Sequence, residues 1–219
     1  MQTPSRIVES NQDGIHDKLD VIVQKHLTTT FQKPYADHSK RAFEYVEKWL
    51  QTRGSKPIIF DSCCGVGDSS RALAHKFPNH VIIGADKSEK RLNTERAEAM
   101  PENLVFVRAD LNDFYRMAVD AGWVLDRHYI LYPNPWPKSE HLKRRWHGAP
   151  VFPSLLALKG KLELRSNWKI YLEEFRRALE LAGFKANLKS LEVTEPFTAF
   201  ERKYNNSGQQ LWQLTANLN

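Results

Sequence analysis

Acidic residues, glycines and one asparagine recur at spacings suited to holding a nucleotide-like ligand. Asp61, Asp86 and Asp110 each stand at the end of a short apolar run, at 58–60, 81–85 and 104–108. Between Asp61 and a polar helix start lie Gly65 and Gly67, in Asp61-Ser62-Cys63-Cys64-Gly65-Val66-Gly67-Asp68. Glycines let the backbone approach a ligand that a Cβ would strike. The loop lacks the Lys-Ser/Thr ending of a phosphate loop and the full G-x-G-x-x-G dinucleotide fingerprint. Asp61 is placed to bond a ligand's amino group or to order the turn. Asp86, about 20 residues past the glycines, is placed to accept from ribose hydroxyls. Asp110 would face the base edge. Each aspartate could instead cap the next helix or turn, but three at successive strand ends favour a shared ligand.

The elements that must position these residues follow from hydrophobic patterning. The runs at 58–61, 81–85, 104–108 and 129–132 read as strands, and helices are expected over 68–77, 88–100 and 113–121. Strands alternating with helices imply a parallel sheet, whose C-terminal edge is where ligands bind. Farther on, 161–164 reads as a fifth strand, and a long helix capped by Asn167 runs through Glu180. The runs at 185–193 and 209–215 read as an antiparallel edge pair, with 198–203 in the loop between them. Residues 37–54 hold a helix with Phe43, Val46, Trp49 and Leu50 on one face. Residues 1–36 read as an N-terminal arm or cap with one short helix around Leu19–Leu27, and 37–219 as the main domain.

The chain has 219 residues, a length that suits one domain with a sizeable core. Its net charge of +6 and pI near 9.3 point to an acidic partner, most simply nucleic acid. The two cysteines, Cys63 and Cys64, are neighbours, so they cannot staple distant segments and do not suffice for zinc. No metal is expected. The polar N-terminus and the lack of a long apolar run argue against a leader and a membrane span. These features read as a cytoplasmic protein, monomer or homodimer.

Tyr132-Pro133-Asn134-Pro135-Trp136-Pro137-Lys138 narrows the function. Its three prolines fix the backbone and forbid regular pairing. His141, Lys143, Arg144, Arg145 and His147 follow, with Trp136 and Trp146 interleaved. Cations can neutralise phosphates and aromatics can stack on bases; the same residues could also form a solvated face over two core tryptophans.

The loop at 61–67 resembles the first motif of S-adenosylmethionine methyltransferases, and the order of motifs resembles the tRNA (guanine-N7)-methyltransferases. That family's P-D-P-W-P-K is similar to Pro133–Lys138, its basic segment to His141 and Lys143-Arg144-Arg145, its T-D motif to Ser166-Asn167, and its T-x-F/Y-E-x-R/K to Thr198–Lys203. The resemblance spans about 58–214. It implies an α/β, Rossmann-like S-adenosylmethionine methyltransferase sandwich with a mostly parallel seven-stranded sheet and an antiparallel edge strand. It further implies S-adenosyl-L-methionine as cofactor, tRNA as partner, and methyl transfer to guanine N7. By position, Asp61, Gly65, Gly67, Asp86, Asp110 and Asn134 would bind the cofactor, with Asn134 catalytic. Lys138, Asn167, Thr198, Phe200, Glu201 and Arg202 would bind substrate.

Three positions depart from the family pattern. Cys63 stands where the family loop begins with glycine, and Asn134 and Asn167 stand where it has aspartates. Asparagine offers a carbonyl acceptor and two donors, without the charge that strengthens an aspartate's bonds to guanine. The departures predict weaker or redirected activity. They leave open another acceptor on the same fold, or a non-catalytic S-adenosylmethionine- or RNA-binding paralogue.

Overall fold

The computed structural model describes residues 5–219; the first four residues of the expected arm lie outside them. A seven-stranded sheet runs in the order β3-β2-β1-β4-β5-β7-β6. The strands are β1 (Ile58–Ser62), β2 (Val81–Asp86), β3 (Leu104–Arg108), β4 (Leu125–Leu131), β5 (Lys161–Ser166), β6 (Ala186–Leu191) and β7 (Leu211–Asn217). Pairing is parallel from β3 through β5, whereas β7 is antiparallel to both β5 and β6. The antiparallel region thus lies at the β6 end, as a strand inserted one place in from the edge.

Alternation along the strands sorts the core into two faces. Phe60, Ile83, Val105, Val107 and Ile130 join one large cluster, while Ile59, Ile82, Leu104, Tyr129 and Leu131 join another. The first face carries α1 (Leu19–Thr28), α2 (Asp37–Gln51), α5 (Leu111–Asp120), α6 (Phe152–Ala157) and α7 (Lys169–Leu181), most of whose buried apolar residues belong to that cluster. The opposite face carries α3 (Asp68–Lys76), through Leu73 and Ala74, and α8 (Ala199–Asn205), through Tyr204. Every residue of β2 is buried, as a strand covered on both sides must be. The segment before α2 packs onto the domain: Leu19 and Val23 are fully buried, and Arg177 on α7 pairs with Asp20 at 2.5 Å.

The helix expected over 88–100 is a single turn, α4 (Glu89–Leu92), capped by Ser88. Residues 93–100 carry no apolar stripe to bury, and tertiary packing is what sustains most helices. Polar contacts hold them instead: Arg96 donates to Asp68, and Arg71 to the carbonyls of Glu98 and Ala99. Residues 199–205, expected as a loop, form α8. Thr198 caps it by accepting from the Glu201 amide at 2.8 Å, the reach of a capping box. Asn167 does not cap α7, whose capping position is Trp168; its amide donates to Gln209 at 2.8 Å. Among the described residues no helix is long and apolar enough to cross a membrane.

Candidate active site

In this strand order the chain's direction of travel along the sheet reverses between β1 and β4, and open α/β sheets bind ligands at that point, beyond the C-terminal strand ends. A cleft of about 650 Å3 opens there. Asp86 at the tip of β2, Asp110 after β3 and Asn134 after β4 all line it. Trp136, Trp146, Lys143, Arg144, Phe200 and Tyr204 line it as well. A smaller recess of about 110 Å3 adjoins it between the glycine loop and Thr198–Phe200, with Cys63, Arg91 and Phe200 common to both.

Asp61, expected to converge on the same cleft, does not line it. The side chain is fully buried one layer behind the glycine loop, with Oδ2 accepting from Ser69 and Ser70 at 2.6 Å each. Its Oδ1 is buried without a donor. Burial pushes this carboxyl up from 3.8 to about 6, with the Ser69 and Ser70 hydroxyls pulling the other way and Asp86 adding to the rise. Asp86 is bound on both oxygens, by the Gly65 amide at 3.0 Å and the Ser88 amide at 2.7 Å, so it fixes the loop while facing the cleft. Asp110 caps α5 by accepting from Asn112, and its carboxyl is held below the usual range by those bonds against the effect of burial. For Asp110 the capping and ligand-facing roles coexist.

Backbone strain gathers around this cleft. Of the four non-glycine residues with positive φ among the described residues, Cys63, Tyr132 and Trp136, at 62°, 53° and 47°, line it, and Lys159 does not. Such conformations persist only where surroundings over-determine them, and they concentrate at functional sites. Gly67 has φ 83°, and a Cβ there would sit 2.3 Å from the Phe106 ring. Cys63 occupies a left-handed position in which glycine would be unstrained. Burial, followed by Asp86 and Asp61, pushes its thiol up to about 12, so it stays protonated.

The acceptor side combines exposed and anchored groups. Asn134 is exposed, and its Oδ1 accepts from the Trp136 amide at 3.3 Å. The Arg144 guanidinium lies 4.7 Å over the Trp136 ring, while Phe200 is exposed and stacks on Tyr204. Of the residues expected to touch substrate, Lys138 is exposed outside the cleft lining, and Asn167, just past the C-terminal end of β5, binds Gln209 and does not line the cleft. Thr198 and Glu201 are buried. Glu201 accepts from Tyr132 Oη at 2.8 Å, Arg165 at 2.7 Å and the Phe197 amide at 3.1 Å, tying α8 to the kink after β4. Arg202 pairs with Asp68 at 3.0 Å and does not line the cleft or the recess. Arg145 belongs to no basic surface: it is fully buried and paired with Glu174 at 2.6 Å.

The residues the sequence did not single out are Lys87, Arg91, Asn112 and Tyr204 in the cleft, and Ser69 and Ser70 as partners of Asp61. The two serines follow the glycine loop at the helix start, which was the available signal.

A family model described as "Putative methyltransferase" matches residues 55–214. Among curated relatives, the tRNA (guanine-N(7)-)-methyltransferase of Saccharophagus degradans is 28% identical over 174 residues, covering 73% of this chain and 75% of that protein. The one from Brevibacillus brevis is 26% identical, covering 78% and 86%. Among solved structures, one described as an antibiotic related methyltransferase superposes with a TM-score of 0.60 at 15% identity, covering 88% of this chain and 98% of that one. A single-residue mutant of the 16S rRNA (adenine(1408)-N(1))-methyltransferase from Catenulisporales acidiphilia, solved with cosubstrate SAM, gives 0.57 at 18% identity, covering 78% and 90%. The structural likeness establishes the Rossmann-like methyltransferase fold, and the match over 55–214 establishes that the chain belongs to the methyltransferase family.

Proposed function

We propose that this protein transfers a methyl group from S-adenosyl-L-methionine to N7 of guanine in tRNA. The observation that carries the reading is one cleft lined by Asp86 and Asp110 together with aromatic and cationic side chains, adjoined by a recess that the glycine loop lines. The curated relatives, named as enzymes of that reaction, support the same acceptor.

The residues present fit the cofactor. Asp61 Oδ1 lacks a donor, and a cationic amino group is the partner that a buried carboxylate oxygen wants. Gly65 lines the recess and leaves open space where the amino-acid end would pass, while Gly67 lets the loop pack against Phe106. A carboxylate has about four lone-pair sites, so Asp86 can still take ribose hydroxyls while holding its two amides. Asp110 keeps one oxygen free of protein donors for the adenine edge.

The cofactor supplies an electrophilic methyl on a positive sulfonium, which passes in line to the lone pair of N7 as the neutral thioether departs. That lone pair needs no base to expose it, so the protein contributes mostly proximity and orientation. Trp136 and Phe200 offer faces for the base, and Lys143 and Arg144 can neutralise flanking phosphates. Asn134 orients the base through its amide. With Glu201 buried and used internally, none of the described residues beside Asn134 and Trp136 in the cleft lining offers a carboxylate to the purine as it becomes cationic.

The test is incubation with cofactor carrying a labelled methyl and total tRNA, followed by nucleoside analysis. Label in 7-methylguanosine is expected, and its turnover should rise in Asn134→Asp. Label only in another nucleoside, or in a small molecule, would replace the acceptor assignment. Binding of the cofactor without transfer would leave a binding protein.

A further inference from the structure

The basic run after the Pro133–Lys138 loop contains one cation that faces no solvent. Arg145 is fully buried, and each of its donors is used. Nε donates to the Trp136 carbonyl and Nη2 to the Lys138 carbonyl, both at 3.2 Å. Nη1 donates to Glu174 Oε2 at 2.6 Å, and both Nη atoms donate to Gln12 Oε1 at 3.1 Å. A guanidinium presents five N–H donors in a rigid fork, so this constellation saturates it.

Gln12 is saturated as well. Its amide nitrogen donates to the Gly14 carbonyl at 2.6 Å and to Glu174 Oε1 at 2.5 Å. Glu174 also accepts from the His16 amide and from His147, and is held down to about 2 by His147 and Arg145 although burial pushes the other way. Residues beside Gln12 run along the same loop. Ser10 Oγ donates to the Pro137 carbonyl at 2.7 Å, and Asn11 Oδ1 accepts from the Ser139 amide at 2.9 Å.

What is clamped is a strained segment. Trp136 has φ 47°, its ring lies against the cleft, and Arg144 sits over it. A left-handed tryptophan between two prolines stays in place only if something outside the loop fixes its carbonyl. Arg145 does so directly, and Gln12 of the N-terminal segment holds Arg145 by accepting from both its Nη atoms.

We propose that Arg145 and Gln12 are positioning residues for methyl transfer, holding the Pro133–Lys138 loop so that Asn134 and Trp136 present the acceptor base. This rests on the reading of the cleft as the site of transfer. It assigns residues 10–16 a part in turnover that is separate from cofactor binding, since none of them lines the cofactor wall.

The test uses the full chain with Arg145→Lys, which keeps a cation against Glu174 but cannot fork to two carbonyls, and Gln12→Ala, which leaves the buried ion pair intact. Amide exchange over 136–139, cofactor affinity by calorimetry and kcat for tRNA methylation are measured for each. Exchange should quicken and kcat should fall about tenfold, more in Arg145→Lys than in Gln12→Ala, with cofactor affinity changed by no more than about twofold, since small misplacements of reacting groups carry costs of that order. Unchanged exchange over 136–139, or quickened exchange with unchanged kcat, would overturn the proposal. So would a loss of kcat that merely tracks cofactor affinity or the folded fraction. If the unaltered chain methylates no tRNA, the functional reading fails, and the exchange measurement alone decides whether the clamp holds the loop.

Discussion

The two walls of the cleft are built by different means. The cofactor wall is made from strand tips and the turns directly after them: Asp86 holds the Gly65 amide, Ser69 and Ser70 hold Asp61, and Asp110 caps its own helix. Most of these partners lie within one strand-turn-helix unit or on the neighbouring strand. The acceptor wall is made from irregular segments far apart in the chain. Glu201 reaches Tyr132 and Arg165, Arg145 reaches Glu174 and Gln12, and residues 5–6 meet Gln209. The glycine loop has short-range geometry that a few residue types must satisfy. The acceptor loop has a recognisable motif whose support comes from elsewhere.

If this contrast is right, damage to the cofactor wall should be local and severe, and damage to the acceptor wall distributed. The largest effect is expected at Gly67. In Gly67→Ala the new Cβ meets the Phe106 ring at 2.3 Å in a left-handed backbone. Strain and overpacking together should cost about 2–5 kcal/mol in denaturant unfolding and abolish measurable cofactor binding by calorimetry. A variant that binds normally would break the account of the cofactor wall.

Asp61→Asn should move the other way. The folded carboxyl is raised to about 6 from 3.8, so its contribution to stability is present below the unfolded value and lost as pH rises through about 6. Asparagine keeps an acceptor for the serines without the buried charge. The cofactor-free variant should therefore be more stable than the unaltered protein by about 1–3 kcal/mol at pH 8, with the gap closing toward pH 4, and should bind cofactor more weakly. Thermal melts across that range measure it, and a gap independent of pH would contradict the charged-and-orphaned picture.

On the acceptor wall, Glu201→Gln removes the charge that Arg165 and Tyr132 share, although Arg165 keeps Glu163. A loss of about 1–3 kcal/mol is expected, with lower kcat on tRNA and unchanged cofactor affinity. Equal losses in both would erase the distinction between the walls. The smallest effect separates the two roles of Asp110. Asp110→Ala should lose the cap and about 1 kcal/mol. Asp110→Asn should keep the cap within a few tenths of that and still weaken cofactor binding, as calorimetry would show.

The same contrast explains what could be read from the chain. The placing of Asp86 and Asp110 on the cleft was legible because strand, turn and cap chemistry are written within a few residues, whereas the burial of Asp61 behind the loop depends on how the loop folds over it. The helix expected over 88–100 was not, because residues 93–100 have helix-compatible types but nothing to pack against. Arg145 looked like part of a solvated basic run, since its partners stand 29 and 133 positions away. Glu201 looked like a substrate contact for the same reason, yet the Thr198-x-x-Glu201 spacing did carry a helix-start signal. Asn134 was correctly placed on the cleft by its motif, while Asn167 was not, because its position depends on where β7 and Gln209 return.

The most direct test of the central claim is a crystal structure of the protein with S-adenosyl-L-methionine bound. The ligand is expected at the β1–β4 crevice, with its amino group within hydrogen-bond reach of Asp61, its ribose on Asp86, and its methyl directed toward Asn134 and Trp136. A ligand bound elsewhere, or one whose methyl points away from the Pro133–Lys138 loop, would contradict it.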